Sequence, residues 1–227
     1  MPSVQEIRSL QKARRKARRR RMYLYGTLIL VAVIGIGVIA YASIQPGGPL
    51  SGSQAVVYAK LNTSKGLIEV ELYRNSAPQT VTNFINLANK GFYTNLVWHR
   101  IIANFVVQTG DPNTINGGGD RNTWGQGTSG QSVPFEYDSS LHNAVGYLAM
   151  ASTGAGVGGS SQFYINVHDN SATLDGKYAV FGKVIVGMDV ANALASVLTT
   201  NQYPNAQNQP ADPSTAMLMS VTISNSP

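Results

Sequence analysis

Trp98-His99-Arg100-Ile101-Ile102-Ala103-Asn104-Phe105-Val106-Val107-Gln108-Thr109-Gly110-Asp111 is an apolar, β-rich run interrupted by one arginine. Beyond residue 55 the chain holds only three arginines, Arg74, Arg100 and Arg121. A guanidinium in such surroundings lies either on the solvent face of a strand or beside an apolar pocket, and composition alone leaves both open.

The sequence before this run predicts a hairpin and a helix. Val56–Asn62 and Gly66–Tyr73 flank the turn Thr63-Ser64-Lys65, and in the second arm Ile68, Val70 and Leu72 alternate with Glu69 and Glu71. Alternation of this kind marks a strand with one buried face. Ser76-Ala77-Pro78 then opens a helix; Val81, Phe84, Ile85 and Ala88 follow helical spacing, and Gly91 supplies the stop.

After the hairpin and helix, strands are predicted at Leu96–Arg100, Phe105–Gln108, Val133–Glu136, Tyr147–Ala151, Gln162–Val167, Ala179–Val184 and Met217–Ile223. A second helix fits Met188–Leu198, with Val190, Leu194 and Val197 on one side. Two helices among many short strands suit a sandwich or a closed barrel, and periodicity does not choose between them. Pro112–Ser132 and Thr199–Pro213 are long, polar loops, a type usually functional or mobile.

The chemical inventory excludes most enzyme classes. No Cys is present, and His99, His142 and His168 are far apart with no H-E-x-x-H spacing, so no metal and no cofactor is expected. There is no phosphate-binding G-x-x-x-x-G-K-[ST] loop and no G-x-S-x-G elbow; Gly154–Gly159 reads as a glycine-rich loop between strands.

The motifs themselves carry a resemblance. Trp98-His99-Arg100-Ile101-Ile102 with Phe105 and Gln108-x-Gly110-Asp111 resembles the signature of the cyclophilin-type peptidyl-prolyl cis-trans isomerases. So do Gly146–Ala151, Ser160–Ile165 and Leu174–Val184, together with Ala77-Pro78-x-Thr80-Val81-x-Asn83-Phe84 and Gly91-Phe92-Tyr93. The likeness is collinear over about residues 57–224. It implies a mainly β fold, a closed eight-stranded antiparallel β-barrel capped by two α-helices, acting on proline-containing polypeptides.

By that resemblance the catalytic residues are Arg100, Phe105 and Gln108, and the substrate-binding residues are Val106, Ser152, Tyr164, Leu174 and Tyr178. Rotation about a peptide bond makes no covalent bond, which fits an inventory without nucleophile or metal. The sequence departs from the family at Tyr164, where animal members carry phenylalanine, and at Val106, where methionine is usual. Ser152-Thr153 replaces an Asn-Ala pair, and Thr173 stands at the place of a tryptophan that many members use to bind cyclosporin. A non-catalytic, proline-peptide-binding chaperone module is the alternative function.

The charge belongs elsewhere. The chain has 227 residues and a formal net charge of +6, yet residues 1–22 hold nine basic groups against Glu6, a net of +8, which leaves −2 for the remainder. That distribution argues against a basic nucleic-acid-binding domain and for no nucleic-acid partner. Residues 23–44 are uncharged and span about 33 Å as a helix, enough for a hydrocarbon core of about 30 Å. The expected plan is a basic cytoplasmic tail at 1–22, a transmembrane signal anchor at 23–44, a Pro/Gly/Ser linker at 45–55, and a monomeric domain at 56–227. Positive charge stays inside, so the domain is expected outside the cytoplasm at the cell membrane; secretion after cleavage near Ala42 is the alternative.

Overall fold

The hairpin forms where alternation places it: β1 (Val57–Thr63) pairs with β2 (Gly66–Leu72) in antiparallel register from Val57↔Leu72 to Thr63↔Gly66. Residues 56–203 and 207–227 are described by the structure, a computed structural model, and the expectations for residues 1–55 lie outside them. Among the described residues, no helix is long and apolar enough to cross a membrane.

Helix α1 (Pro78–Asn89) buries Val81, Phe84, Ile85 and Ala88, the stripe its spacing predicts. Its N-cap residue, Ala77, has no capping side chain. Instead the Glu136 carboxylate accepts from the backbone N–H groups of Gln79 at 3.0 Å and Thr80 at 2.8 Å, offsetting the positive helix end. This explains a correction. Residues 133–136 form no strand; they are extended loop that carries Glu136 to the helix.

The remaining strands are β3 (Leu96–Val97), β4 (Arg100–Ile102), β5 (Val106–Thr109), β6 (Tyr147–Met150), β7 (Phe163–Asn166), β8 (Val180–Val186), β9 (Thr199–Thr200), β10 (Gln209–Pro210) and β11 (Met217–Ser224). Between them lie α2 (Ser171–Leu174), a single turn too short for periodicity to reveal, and α3 (Met188–Ala195). α3 ends three residues earlier than predicted and buries Ala191 and Leu194, while Val190 and Val197 are only half-buried.

Nine strands make one antiparallel sheet in the order β3-β11-β1-β2-β8-β6-β7-β5-β4, and β9 pairs separately with β10. The two edges of the large sheet, β3 and β4, are consecutive pieces of the segment 96–102. A sheet whose opposite edges are joined through two residues has to curl back on itself. The predicted single strand Leu96–Arg100 is therefore two, interrupted at Trp98-His99.

The inner face of the curl is the core. Phe163 lies at its centre, edge-on to Phe84 at 5.3 Å, Tyr93 at 5.6 Å, Trp98 at 6.1 Å and Phe181 at 6.3 Å between ring centroids. Such pairs favour an edge-to-face geometry because the ring edge is positive and its face negative.

Candidate functional site

Strand alternation sets the site on the opposite face of the same sheet. In β5, Val107 joins the main core, whereas Val106 joins a second cluster with Ala149, Tyr164, Leu174 and Val180. Register carries the division sideways: Arg100 pairs with Gln108, Gln108 with Tyr164, and Tyr164 with Ala149. Four strands thereby contribute one row. Because side chains directly opposite each other share a face, one register setting places the whole row together.

The interruption at Trp98-His99 decides which way Arg100 points. Leu96 and Trp98 pack in the core, and continued alternation would send Arg100 in after them. After the break it is Ile101 that enters the core, and Arg100 faces outward. A local irregularity that re-aims a functional side chain is the usual use of a strand break.

All eight residues singled out by the motifs, Arg100, Phe105, Val106, Gln108, Ser152, Tyr164, Leu174 and Tyr178, line one cavity of about 550 Å³. The apolar wall consists of Phe105, Val106, Tyr164 and Leu174, with the Tyr178 ring T-shaped to Tyr164 at 6.0 Å. The Arg100 guanidinium lies 5.8 Å from the centre of the Phe105 ring. Its Nη1 donates to Gln108 Oε1 at 3.4 Å, and Gln108 Nε2 donates to Gln162 Oε1 at 2.9 Å. Burial pulls the Arg100 pKa below the ordinary guanidinium value, while Tyr178 and Tyr164 act the other way. Ser152 Oγ donates to Gly154 O at 2.6 Å, so its hydroxyl is already engaged within its own loop.

The Tyr164 hydroxyl does not enter the cavity. It donates to Asn143 Oδ1 at 2.8 Å, and Asn143 is held through its N–H and its Nδ2 by Asp175 Oδ1 at 2.7 and 3.1 Å. From the other side Asn170 Nδ2 donates to Asn166 Oδ1 and to Phe105 O. Buried amides behind the wall thus fix Tyr164 and the Phe105 backbone, and α2 with its Leu174 lies between Asn170 and Asp175.

His99 and Ala151, which lie in the motifs without an assigned role, and Trp124, Gly125, Gln126, Gln207 and Asn208, which the motif reading missed, complete the lining. His99 is 3% exposed and neither ring nitrogen has a hydrogen-bond partner among the described residues. Burial, partly opposed by Asp111, lowers its pKa from 6.5 to about 4, so it is neutral near pH 7. Trp124–Gln126 come from the loop 112–132. That loop is anchored by Asp111, whose carboxylate accepts from the N–H groups of Asn113, Gly125 and Gly127, and by Gln162 Nε2, which donates to Gly125 O and Gly127 O. Only glycine permits this approach at 127, since a Cβ there would lie 2.0 Å from Asp111 Oδ1. Trp124, buried within an otherwise polar loop, was the signal available in the sequence.

A second cavity of about 500 Å³ adjoins the first and shares Gln108, Gly125, Gln126, Ala151 and Ser152 with it. Together they form a groove with one apolar-walled pocket, an arrangement able to hold an extended chain with one compact ring against that wall.

Residues 58–217 match the family model of the cyclophilin type peptidyl-prolyl cis-trans isomerases. The chain belongs to this family. It is 37% identical over 180 residues to peptidyl-prolyl cis-trans isomerase A of Dickeya dadantii, covering 78% of this chain and 90% of that one. With a peptidyl-prolyl cis-trans isomerase of Acinetobacter baylyi it shares 38% over 173 residues, covering 74% and 87%. The fold is similar to a crystal structure of a cyclophilin from Cryptosporidium parvum, with a TM-score of 0.65 and 27% identity over 76% of this chain and 99% of that one. Another structure of that parasite protein was determined in the presence of the dipeptide Ala-Pro. The chain is accordingly a peptidyl-prolyl cis-trans isomerase, built on a mainly β, cyclophilin-like curled sheet.

Proposed function

We propose that this isomerase acts outside the cytoplasm on newly exported polypeptides, tethered to the membrane by residues 23–44, and that Arg100 is its principal catalytic group. The observation carrying the catalytic reading is the row Arg100–Gln108–Tyr164, which sets one half-buried cation beside an apolar pocket.

Amide resonance opposes rotation with a barrier of about 18–20 kcal/mol. A catalyst lowers it by favouring the twisted amide over both planar forms. Phe105, Val106, Tyr164 and Leu174 hold the proline ring and exclude water from it. As the bond twists, its nitrogen becomes pyramidal and recovers a lone pair. The Arg100 guanidinium donates toward that developing density, and its charge is stronger for the low dielectric around it. Gln108 orients the guanidinium and, with the Ser152 backbone and Tyr178, holds the extended peptide. The Ala-Pro dipeptide used with the parasite relative supports a proline-containing peptide as occupant.

The catalytic reading is tested by following isomerisation of an X-Pro peptide with the full-length chain. Arg100→Ala should lower kcat/KM by roughly 10²–10³, the usual cost of one electrostatic donor, with an unchanged Tm; an unchanged rate would remove the proposed role. The tether is supported by the 22 uncharged residues at 23–44 after a basic tail of net +8. Retention in the membrane fraction after high-salt and carbonate washes, with the domain open to external protease, is expected. Release of a shortened chain beginning near Ala42 would overturn it.

A further inference from the structure

Arg121 lies outside the row that carries Arg100, yet each of its three guanidinium nitrogens donates a hydrogen bond and two aromatic rings lie against it. Nε donates to Gln209 Oε1 at 2.7 Å, Nη2 to Pro210 O at 2.5 Å and Nη1 to Ala211 O at 3.4 Å. Its Cζ is 4.8 Å from the centre of the Trp124 ring and 4.5 Å from that of Tyr203. Gln209, fully buried, donates back from Nε2 to Arg121 O at 2.7 Å. Among the described residues no carboxylate pairs with Arg121. A planar fork bonded to backbone carbonyls and stacked on aromatic rings is a geometric fastener, a role lysine fills poorly. It joins the two long loops, 112–132 and 199–213.

What the fastener delivers is Asn208. Its backbone is fixed from both directions: its N–H donates to Asn201 Oδ1 at 2.8 Å, and its carbonyl accepts from Ile101 N at 2.8 Å. With φ at +60° it sits in the left-handed region, which Asn tolerates better than most residues. Its side chain makes no hydrogen bond among the described residues, and it lines the cavity next to β4, the strand of Arg100. A held backbone with an uncommitted amide, offering both a donor and an acceptor, is complementary to one peptide unit of an extended chain.

We infer that Asn208 binds the backbone of the substrate peptide outside the X-Pro dipeptide, in the flanking segment, and that Arg121 is the positioning residue that holds it there. The inference rests on the reading of the Arg100 cavity as the substrate site. It extends recognition beyond the X-Pro dipeptide: selectivity follows the length and backbone of the flanking segment. The rim supplying it, Gln126 and Asn208, is neutral, so the flanking charge of the substrate matters little.

Steady-state kinetics of the full-length chain on two substrates test this: an Ala-Pro dipeptide blocked at both ends, and a longer peptide with several residues on each side of the same Ala-Pro. Asn208→Gly keeps the left-handed backbone accessible and removes the amide. It should raise KM for the longer peptide roughly three- to tenfold, the worth of about one hydrogen bond, with kcat unchanged and KM for the short substrate unmoved. Arg121→Gln should reproduce that split, and Arg121→Lys should fail to restore it. Equal changes on both substrates, no change with Asn208→Gly, or a fall in Tm without a KM difference would overturn the inference. Arg100→Ala run in parallel separates the two levels: an unaffected rate defeats the site reading itself, whereas loss of both rates beside an inert Asn208→Gly defeats only the role of Asn208.

Discussion

Val106 and Val107 are neighbours in β5, both buried, and they belong to opposite faces of one sheet. Val107 shares the inner face with Phe163, Trp98 and Phe84, where the packing is mainly apolar and Phe163 meets Phe84 and Trp98 edge to face. Val106 shares the outer face with Tyr164 and Leu174, beside the Arg100 guanidinium and the Gln108 amide. The strand period of two therefore separates the part of the sequence that stabilises the curled sheet from the part that lines the cavity. A slip of one residue would exchange them, which makes register the quantity most tightly specified here.

The division is broken most forcefully from the inner side. Phe163→Ala removes the ring at the centre of the aromatic cluster, and should cost about 3–5 kcal/mol of unfolding free energy in denaturant titration. Activity per folded molecule should change far less, because Phe163 faces away from the cavity. A variant of normal stability and lost activity would show that the two faces are not separable.

His99 stands where the faces meet, in the break between β3 and β4, and its titration probes that junction. Its folded pKa lies near 4 against an ordinary 6.5, because burial disfavours the charged ring. Between those values the unfolded chain binds a proton that the folded chain does not, so stability must fall as pH drops through this window. The expected loss is on the order of 3 kcal/mol from 6.5 down to 4. Unfolding curves of the parent and of His99→Gln should diverge in slope over that range. Parallel curves would mean that His99 is not held neutral.

Much of this was legible in the sequence, and the exceptions share a cause. The hairpin and the stripe of α1 follow local periodicity, and the motif residues fall on one face because alternation and register act on each strand alike. Val133–Glu136 looks like a strand by composition, but its placement is determined by the unfilled N–H groups of a helix 56 residues away in sequence. Trp124 and Asn208 reach the cavity through Asp111, Gln162 and Arg121, and those side-chain bonds between distant loops leave no periodic trace. The break at Trp98-His99 is equally silent. Leu96–Arg100 reads as one continuous strand, and only the curl of the sheet makes an interruption necessary.

The two valines offer a smaller and more pointed comparison. Val107→Ala should cost about 2 kcal/mol, from two buried methyl groups and the gap they leave, and should leave KM unchanged. Val106→Ala removes the same atoms at the same depth of burial. Its cavity can take up the space as part of the groove, so the stability loss should be smaller and the effect should appear as a raised KM for X-Pro peptides. If both variants lost stability equally with KM unmoved, Val106 would belong to the core and not to the proline wall.

Tyr164→Phe tests the quietest element, the amide network behind that wall. The hydroxyl is buried, and burial above all keeps it protonated, so it serves only as the donor to Asn143 Oδ1. Removing it leaves Asn143 Oδ1 with the longer 3.4 Å bond from Asn166 Nδ2, a partial replacement that limits the cost to about 1 kcal/mol. The ring itself stays on the cavity wall in either variant. If the network positions the wall, Tyr164→Phe should raise KM by about twofold to fivefold with the Arg100 chemistry, and hence kcat, unaltered. If kcat fell instead, the hydroxyl would be acting on the twisted amide and not through Asn143, and the outer face would hold a second catalytic donor.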